Sequence, residues 1–321
     1  MNSYQGIFQG LNANPKILDS DGDVLLTNEE MGSRLLLPGG GGQGGGENEG
    51  NAFGSRRDPR RYEVQYEFAF LGQPPLSLMP MIGKVVSFGF SGNIACQGCQ
   101  KPIKKVFQTG VCFVCSQKLA RCDLCIVKPE RCHFHLGTCR EPEWGEAHCM
   151  QEHAVYLANS SGLKVGITRI QNIPYRWMDQ GAIQALPFLI VTTRRFSGLI
   201  ETKIAERIPD KTNWRKMLKN EVEPLDLWKH RESMFESIQP ELERLKTEGV
   251  GNYRWIDVPE QYEFFYPVLE YPVKVDSLSF DKTPLIEGKL MGIKGQYLIF
   301  DHGVLNLGKF EGYELRFSSE L

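Results

Sequence analysis

The chain has 321 residues, of which 41% are hydrophobic, 11% aromatic and 24% charged, which excludes a single small module and a collagen-like or wholly disordered chain. Lys and Arg total 37 against 39 Asp and Glu, so the net charge of -2 taken alone points to no polyanionic partner. The longest apolar run, near Ala185 to Val191, is about seven residues where a bilayer span takes roughly 20, so no membrane helix and no membrane partner are expected.

Residues 1–60 contain LLLPGGGGQGGGENEG, with seven glycines among the eight residues from Gly39 to Gly46, and are predicted to form a disordered, glycine-rich tail. The start, MNSYQGIFQG, has neither the basic beginning nor the apolar stretch of a secretory signal, so the expected compartment is the cytoplasm. Asp19, Asp21, Asp23 and Glu30 fall at ligand positions of a calcium-binding loop, but Val24 occupies the position where the sharp turn requires glycine. Calcium binding is therefore not expected there.

Residues 61–150 are predicted to join β-strands, at Tyr62 to Phe70 and Ile82 to Phe90, to a zinc-binding cysteine block. All nine cysteines lie between Cys96 and Cys149, and an odd number without a secretory signal argues against a disulfide framework. Cys96-x-x-Cys99 and Cys112-x-x-Cys115 form two tight pairs, each able to place two thiolates on one tetrahedral ion, so a closed structural zinc site is predicted. Cys122-x-x-Cys125 offers half of a second zinc site. Cys132 and Cys139 are favoured to complete it, with Cys149 and His153 as the alternative pair. One or two structural zinc ions are thus expected.

Between Lys101 and Lys219 stand 19 basic and 10 acidic residues, a concentration of positive charge suited to displacing counterions from nucleic-acid phosphates. In residues 151–225, AVYLA and LKVGIT read as two short strands around Asn159-Ser160-Ser161-Gly162, with a helix beginning near Pro174. Ala185 to Thr193 reads as a buried strand, Ser197 as a cap for a helix to about Arg207, and Asp210 or Thr212 as a cap for the next. Residues 226–260 are predicted to be a helical connection, and residues 261–321 a C-terminal antiparallel β sheet or barrel with regular glycines. The fold class is α+β and multi-domain.

The stretch HAVYLANSSGLKVGITRIQNIPYRWMDQGA resembles the start of the GIY-YIG nuclease superfamily, and the likeness runs over about residues 154–218. Val155-Tyr156 stands for the first motif, Lys164-Val165-Gly166 for the second, Arg176 for the helical arginine, Glu201 for the metal-binding glutamate and Asn213 for the later asparagine. The whole sequence also looks like an uncharacterised bacterial family that joins such a core to a cysteine-rich block.

The resemblance implies a small α/β core hydrolysing phosphodiesters of DNA or RNA with Mg²⁺ or Mn²⁺ at Glu201. Arg176 would clamp the phosphate, Tyr156 would help deprotonate the attacking water, and Lys164 or Arg169 would add positive charge. Lysine at the tyrosine position of the second motif implies an altered mechanism or a core that binds without cutting. A metal-dependent endonuclease, a non-catalytic zinc-stabilised nucleic-acid-binding protein and an adaptor for proteins therefore all remain in view. Oligomeric state is not legible.

Overall fold

The computed structural model describes residues 2–18, 24–26, 56–108 and 110–319. Its strands in chain order are β1 (Asn2–Leu18), β2 (Val24–Leu26), β3 (Arg60–Phe70), β4 (Leu76–Ser77), β5 (Val85–Ala95), β6 (Pro102–Ile103), β7 (His153–Asn159) and β8 (Leu163–Arg169). They continue with β9 (Gln184–Val191), β10 (Tyr253–Trp255), β11 (Tyr262–Phe265), β12 (Ser277–Leu278), β13 (Leu285–Lys294), β14 (Tyr297–Phe300), β15 (Gly303–Asn306) and β16 (Tyr313–Ser319). The helices are α1 (Phe113–Lys118), α2 (Pro142–Cys149), α3 (Tyr175–Asp179), α4 (Arg194–Ala205), α5 (Trp214–Leu218) and α6 (Leu227–Thr247).

The result is a mixed α/β structure built on one broad sheet, ordered β12, β15, β14, β13, β5, β16, β1, β3, β11, β9, β7, β8. The opening strand is its seam. Asn2 to Ile7 pair antiparallel with β16, and Phe8 to Leu18 then pair antiparallel with β3 after a register shift between Phe8 and Gly10. The expectation of a disordered tail from residue 1 therefore fails for Asn2–Leu18. Phe8, Leu11 and Ala13 of that strand are buried against Tyr66, Phe68 and Phe70 of β3, and their burial outweighs the ordering cost that the nearby polar residues suggest. The glycine run from Gly39 to Gly46 and the acidic positions Asp19, Asp21, Asp23 and Glu30 lie outside the described residues.

Strand β3 buries every second side chain from Tyr62 to Phe70, the period of a strand with one face on the core. Strands β7 and β9 are buried along their whole length because both faces are covered. Ala154, Tyr156 and Ala158 enter the core shared with β1, β3 and β16. Val155 and Leu157 face the opposite way into a second core, closed by Phe196 and Ile200 of α4 and by Leu227, Trp228 and Ile238 of α6. The C-terminal strands do not close a separate barrel. Strand β16 lies between β5 and β1, while β11 pairs parallel with β3 and antiparallel with β9. Glycine spacing specifies strand ends but not which strands become neighbours. No helix among the described residues is long and apolar enough to cross a membrane.

Candidate metal centre and polar cluster

The fold gathers two groups of functional side chains, one of thiols and one of oxygen and nitrogen groups. In the first, Cys96 directly follows β5, Cys99 lies in the tight turn after it, Cys112 caps α1 and Cys115 lies in its first turn. The four sulfurs lie within 4.8 Å of one another. A tetrahedron with bonds of about 2.3 Å places its sulfurs roughly 3.8 Å apart, so a small closure of the set accommodates one zinc ion with no open position.

Backbone amides supply the surrounding shell: Gly98 N–H and Cys112 N–H donate to Cys96 Sγ at 3.3 and 3.1 Å, and Cys115 N–H donates to Cys112 Sγ at 3.4 Å. Burial raises the Cys96 thiol, but these amides outweigh it and bring the group down to about 6, favouring the thiolate that binds metal. A Cβ at Gly98 would meet Cys115 Sγ at 3.0 Å, so the turn between Cys96 and Cys99 needs glycine to approach the second pair. The predicted ligand set Cys96, Cys99, Cys112 and Cys115 is thus brought together.

The remaining cysteines divide differently from the sequence expectation. Cys122 packs beside Cys96 and Val111, next to the first centre, whereas Cys125 lies with Cys132 and Cys149 in another buried cluster. Extended backbone at Asp123 separates the single helical turns Ala120–Cys122 and Leu124–Ile126 and sends the two thiols apart. His153 is fully buried, with Nδ1 hydrogen-bonded at 2.7 Å to the Gln151 carbonyl, and it does not line the cavity of the second cysteine cluster. Burial lowers its imidazole to about 4, so it is neutral at physiological pH.

The second site is a polar cluster at the edge strand β8. The β7–β8 hairpin sets Tyr156 directly across from Gly166. A Cβ on Gly166 would stand 2.6 Å from the Tyr156 ring, which makes glycine the residue that lets this tyrosine lie flat over its partner strand. Lys164, on the same face two residues earlier, donates from Nζ to Gln180 Oε1 at 2.7 Å and to Thr212 Oγ1 at 3.1 Å. Tyr156 donates its hydroxyl to the same Gln180 oxygen at 3.3 Å. Gln180 follows α3, the helix carrying Arg176, whose guanidinium is exposed.

Glu201 comes from α4, which begins at a Thr193 cap accepting from Phe196 N–H at 3.2 Å rather than at Ser197. Its inward face carries Phe196, Ile200 and Ile204 at helical spacing. The groups feel one another electrostatically. Burial, reinforced by the Asp210 carboxylate, lifts Glu201 to about 7 against Arg194, Arg176 and Lys164. Burial and Arg176 bring Lys164 down to about 8, opposed by Glu201 and Asp210. Burial pushes the Tyr156 phenol up to about 12 against the Arg176 cation, with Glu201 adding to the rise.

Tyr156, Lys164, Arg176 and Glu201 thus share one neighbourhood, while Arg169 and Asn213 do not serve it in the same way. Arg169 is an odd number of residues from Lys164 along β8, so it faces the other side of the strand, near Cys149 and Arg194. Asn213 caps α5, its side chain accepting from Lys216 N–H at 3.3 Å and its own N–H donating to Ser161 Oγ at 2.8 Å. Sequence reasoning missed Gln180, Thr212 and Asp210 as members. A polar residue directly after a short helix carries no signal of its own, and only the fold shows Gln180 joining the lysine to the tyrosine.

Fold and site together define a mixed α/β protein with a four-cysteine site fit for a structural metal ion. The chain belongs to the DUF2797 family, described as a protein of unknown function, whose model matches residues 83–315. No curated protein and no solved structure matches it.

Proposed function

We propose that this protein is a metal-dependent phosphodiesterase acting on DNA or RNA, with the zinc-binding cysteine block bracing a GIY-YIG-like core. The observation that carries the reading is that Tyr156 and Lys164 meet at Gln180 with Arg176 and Glu201 within electrostatic reach of both, from residues spread over two strands and two helices. Glu201 with Asp210 nearby offers the carboxylate oxygens a hard divalent ion such as Mg²⁺ or Mn²⁺ takes, and such an ion would offset the burial and, second to it, the Asp210 repulsion that raise Glu201. When bound, the ion supplies neutralisation of phosphate charge.

The chain's own groups do the rest. Arg176 presents an exposed planar fork to the nonbridging oxygens. Gln180 orients Lys164 and Tyr156 together. With Lys164 near 8 and Tyr156 near 12, the lysine is better matched to proton transfer at neutral pH, so the tyrosine positions and the lysine exchanges the proton. The basic surplus between Lys101 and Lys219 supplies the attraction for a polyanion.

A second reading, a binder that does not cut, is favoured by one observation: Tyr156 is only 1% exposed and both it and Lys164 are engaged within the protein. The test incubates the full chain with plasmid, single-stranded DNA and structured RNA in Mg²⁺ or Mn²⁺, beside Glu201→Ala. Cleavage by the natural chain that the variant loses supports hydrolysis. Salt-sensitive binding without cleavage supports the second reading. Absence of both cleavage and salt-sensitive binding on every substrate removes nucleic acid as the partner.

A further inference from the structure

The second cysteine cluster surrounds a cavity of about 10 Å³ lined by Cys125, Cys132, Cys139 and Cys149. That is about the space of one small sphere. Cys125, Cys132 and Cys149 pack together with Phe134, and the Cys132 and Cys149 thiols are close enough to interact directly. Cys139 reaches the group across α2. A Cβ on Gly145 would lie 3.0 Å from its sulfur, and Gly145 stands one turn before Cys149 on that helix.

The charges around the cluster also fit. A dication held by four thiolates carries a net charge of about −2, and the Arg194 guanidinium lies within electrostatic reach of Cys125, Cys132 and Cys149, with Arg169 near Cys149. Arg194 also ties the cluster to α4, donating from Nη2 to the Ile126 carbonyl at 2.6 Å and from Nε to the Cys125 carbonyl at 3.5 Å. One turn further on, Gly198 lets the Pro129–Arg131 turn approach so closely that a Cβ would stand 2.3 Å from the Glu130 nitrogen.

We propose that Cys125, Cys132, Cys139 and Cys149 hold a second structural zinc ion, without Cys122 or His153, and that this centre fastens the helix bearing Glu201 to the cysteine block. The proposal stands independently of phosphodiester hydrolysis. A competing set exists in Asp123, Cys125 and His133, whose ligand atoms lie within 4.8 Å of one another, a spacing that the four sulfurs of the proposed centre together do not meet, so the thiolates must close on the ion. Asp123 of that set pairs with Arg140 Nε at 2.6 Å and accepts from Cys125 N–H at 3.3 Å, while His133 bonds Thr138 Oγ1 through Nδ1 at 2.7 Å and keeps Nε2 3.6 Å from Asp123, so His133 is the member the experiment must exclude.

Zinc per full-length chain, measured by elemental analysis and native mass spectrometry, decides between them. The natural chain should carry two ions. Cys132→Ser and Cys149→Ser should each fall to one, while Cys122→Ser and His133→Ala should each keep two. One ion in the natural chain overturns the proposal, and so does loss of an ion on His133→Ala or Cys122→Ser.

If the serine variants do not fold, cobalt titration of the metal-stripped natural chain gives a second measurement. Two equivalents with equal sulfur-to-cobalt charge-transfer bands support two four-thiolate centres, and a weaker second band speaks for the mixed set and against the proposal. Amide hydrogen exchange across Arg194–Ala205 should quicken in Cys149→Ser; unchanged exchange there overturns the fastening.

Discussion

Gly166 shows how much one residue can fix. Its lack of a side chain lets the Tyr156 ring rest on β8, and the tyrosine hydroxyl then reaches Gln180. Gly166→Ala forces the ring away and should cost about 1–3 kcal/mol as overpacking, read as a lower midpoint in urea with unchanged slope; a midpoint equal to that of the natural chain would show that the ring has room to move. Glu201 makes a second prediction at this scale. Its carboxyl is raised from 4.5 to about 7 by burial first and Asp210 next, so the folded state holds a proton the unfolded chain has given up. This contributes stability that is full below about 4.5 and lost as pH rises to about 7. Relative to Glu201→Gln, which cannot ionise, the natural chain should lose stability across that window, and Mg²⁺ affinity should rise over the same window as the carboxylate forms. Parallel stability curves for the two proteins would contradict the assigned shift.

Helix α4 ties the central core to the cysteine block. One face packs on the β7–β9 core through Phe196, Ile200 and Ile204, its first turns meet the cysteine block through Arg194 and Gly198, and Glu201 lies within electrostatic reach of Lys164 and Arg176. Thr193 starts it, so Thr193→Ala should destabilise the protein by about 1 kcal/mol, measured by chemical denaturation, whereas Ser197→Ala should not remove a cap. An equal loss in both would mean the helix begins elsewhere. The two strands before α3 and the buried strand after it were legible because short apolar runs flank the Asn159-Ser160-Ser161-Gly162 turn and follow the helix that Pro174 opens. The starting point of α4 was not, because Thr193 and Ser197 are both acceptable capping residues and the choice depends on where the preceding strand leaves the sheet.

Across the whole molecule, the first strand joins the two ends of the chain by lying between β16 and β3. Phe8 is fully buried and stacks on Phe68 at 4.6 Å, so Phe8→Ala should cost about 3–5 kcal/mol, seen as a lower thermal midpoint and reduced soluble yield; a loss below about 1 kcal/mol would put that strand outside the folding unit. The cysteine pairs Cys96-x-x-Cys99 and Cys112-x-x-Cys115 were readable from spacing alone, since two sulfurs three residues apart on a tight turn face one ion whatever the rest of the fold does. So were the hairpin carrying Tyr156 and Lys164 and the short helix carrying Arg176, whose determinants are local. What the tertiary structure alone decided is everything that depends on long-range pairing: that residues 2–18 form the sheet's seam, that the C-terminal strands are shared between β1, β3, β5 and β9, that Cys122 and Cys125 part company, and that Gln180 and Asp210 join Lys164 and Glu201. Local patterns set the conformation of a segment, whereas its neighbours are chosen by how much apolar surface the whole chain buries at once, a quantity no single segment carries.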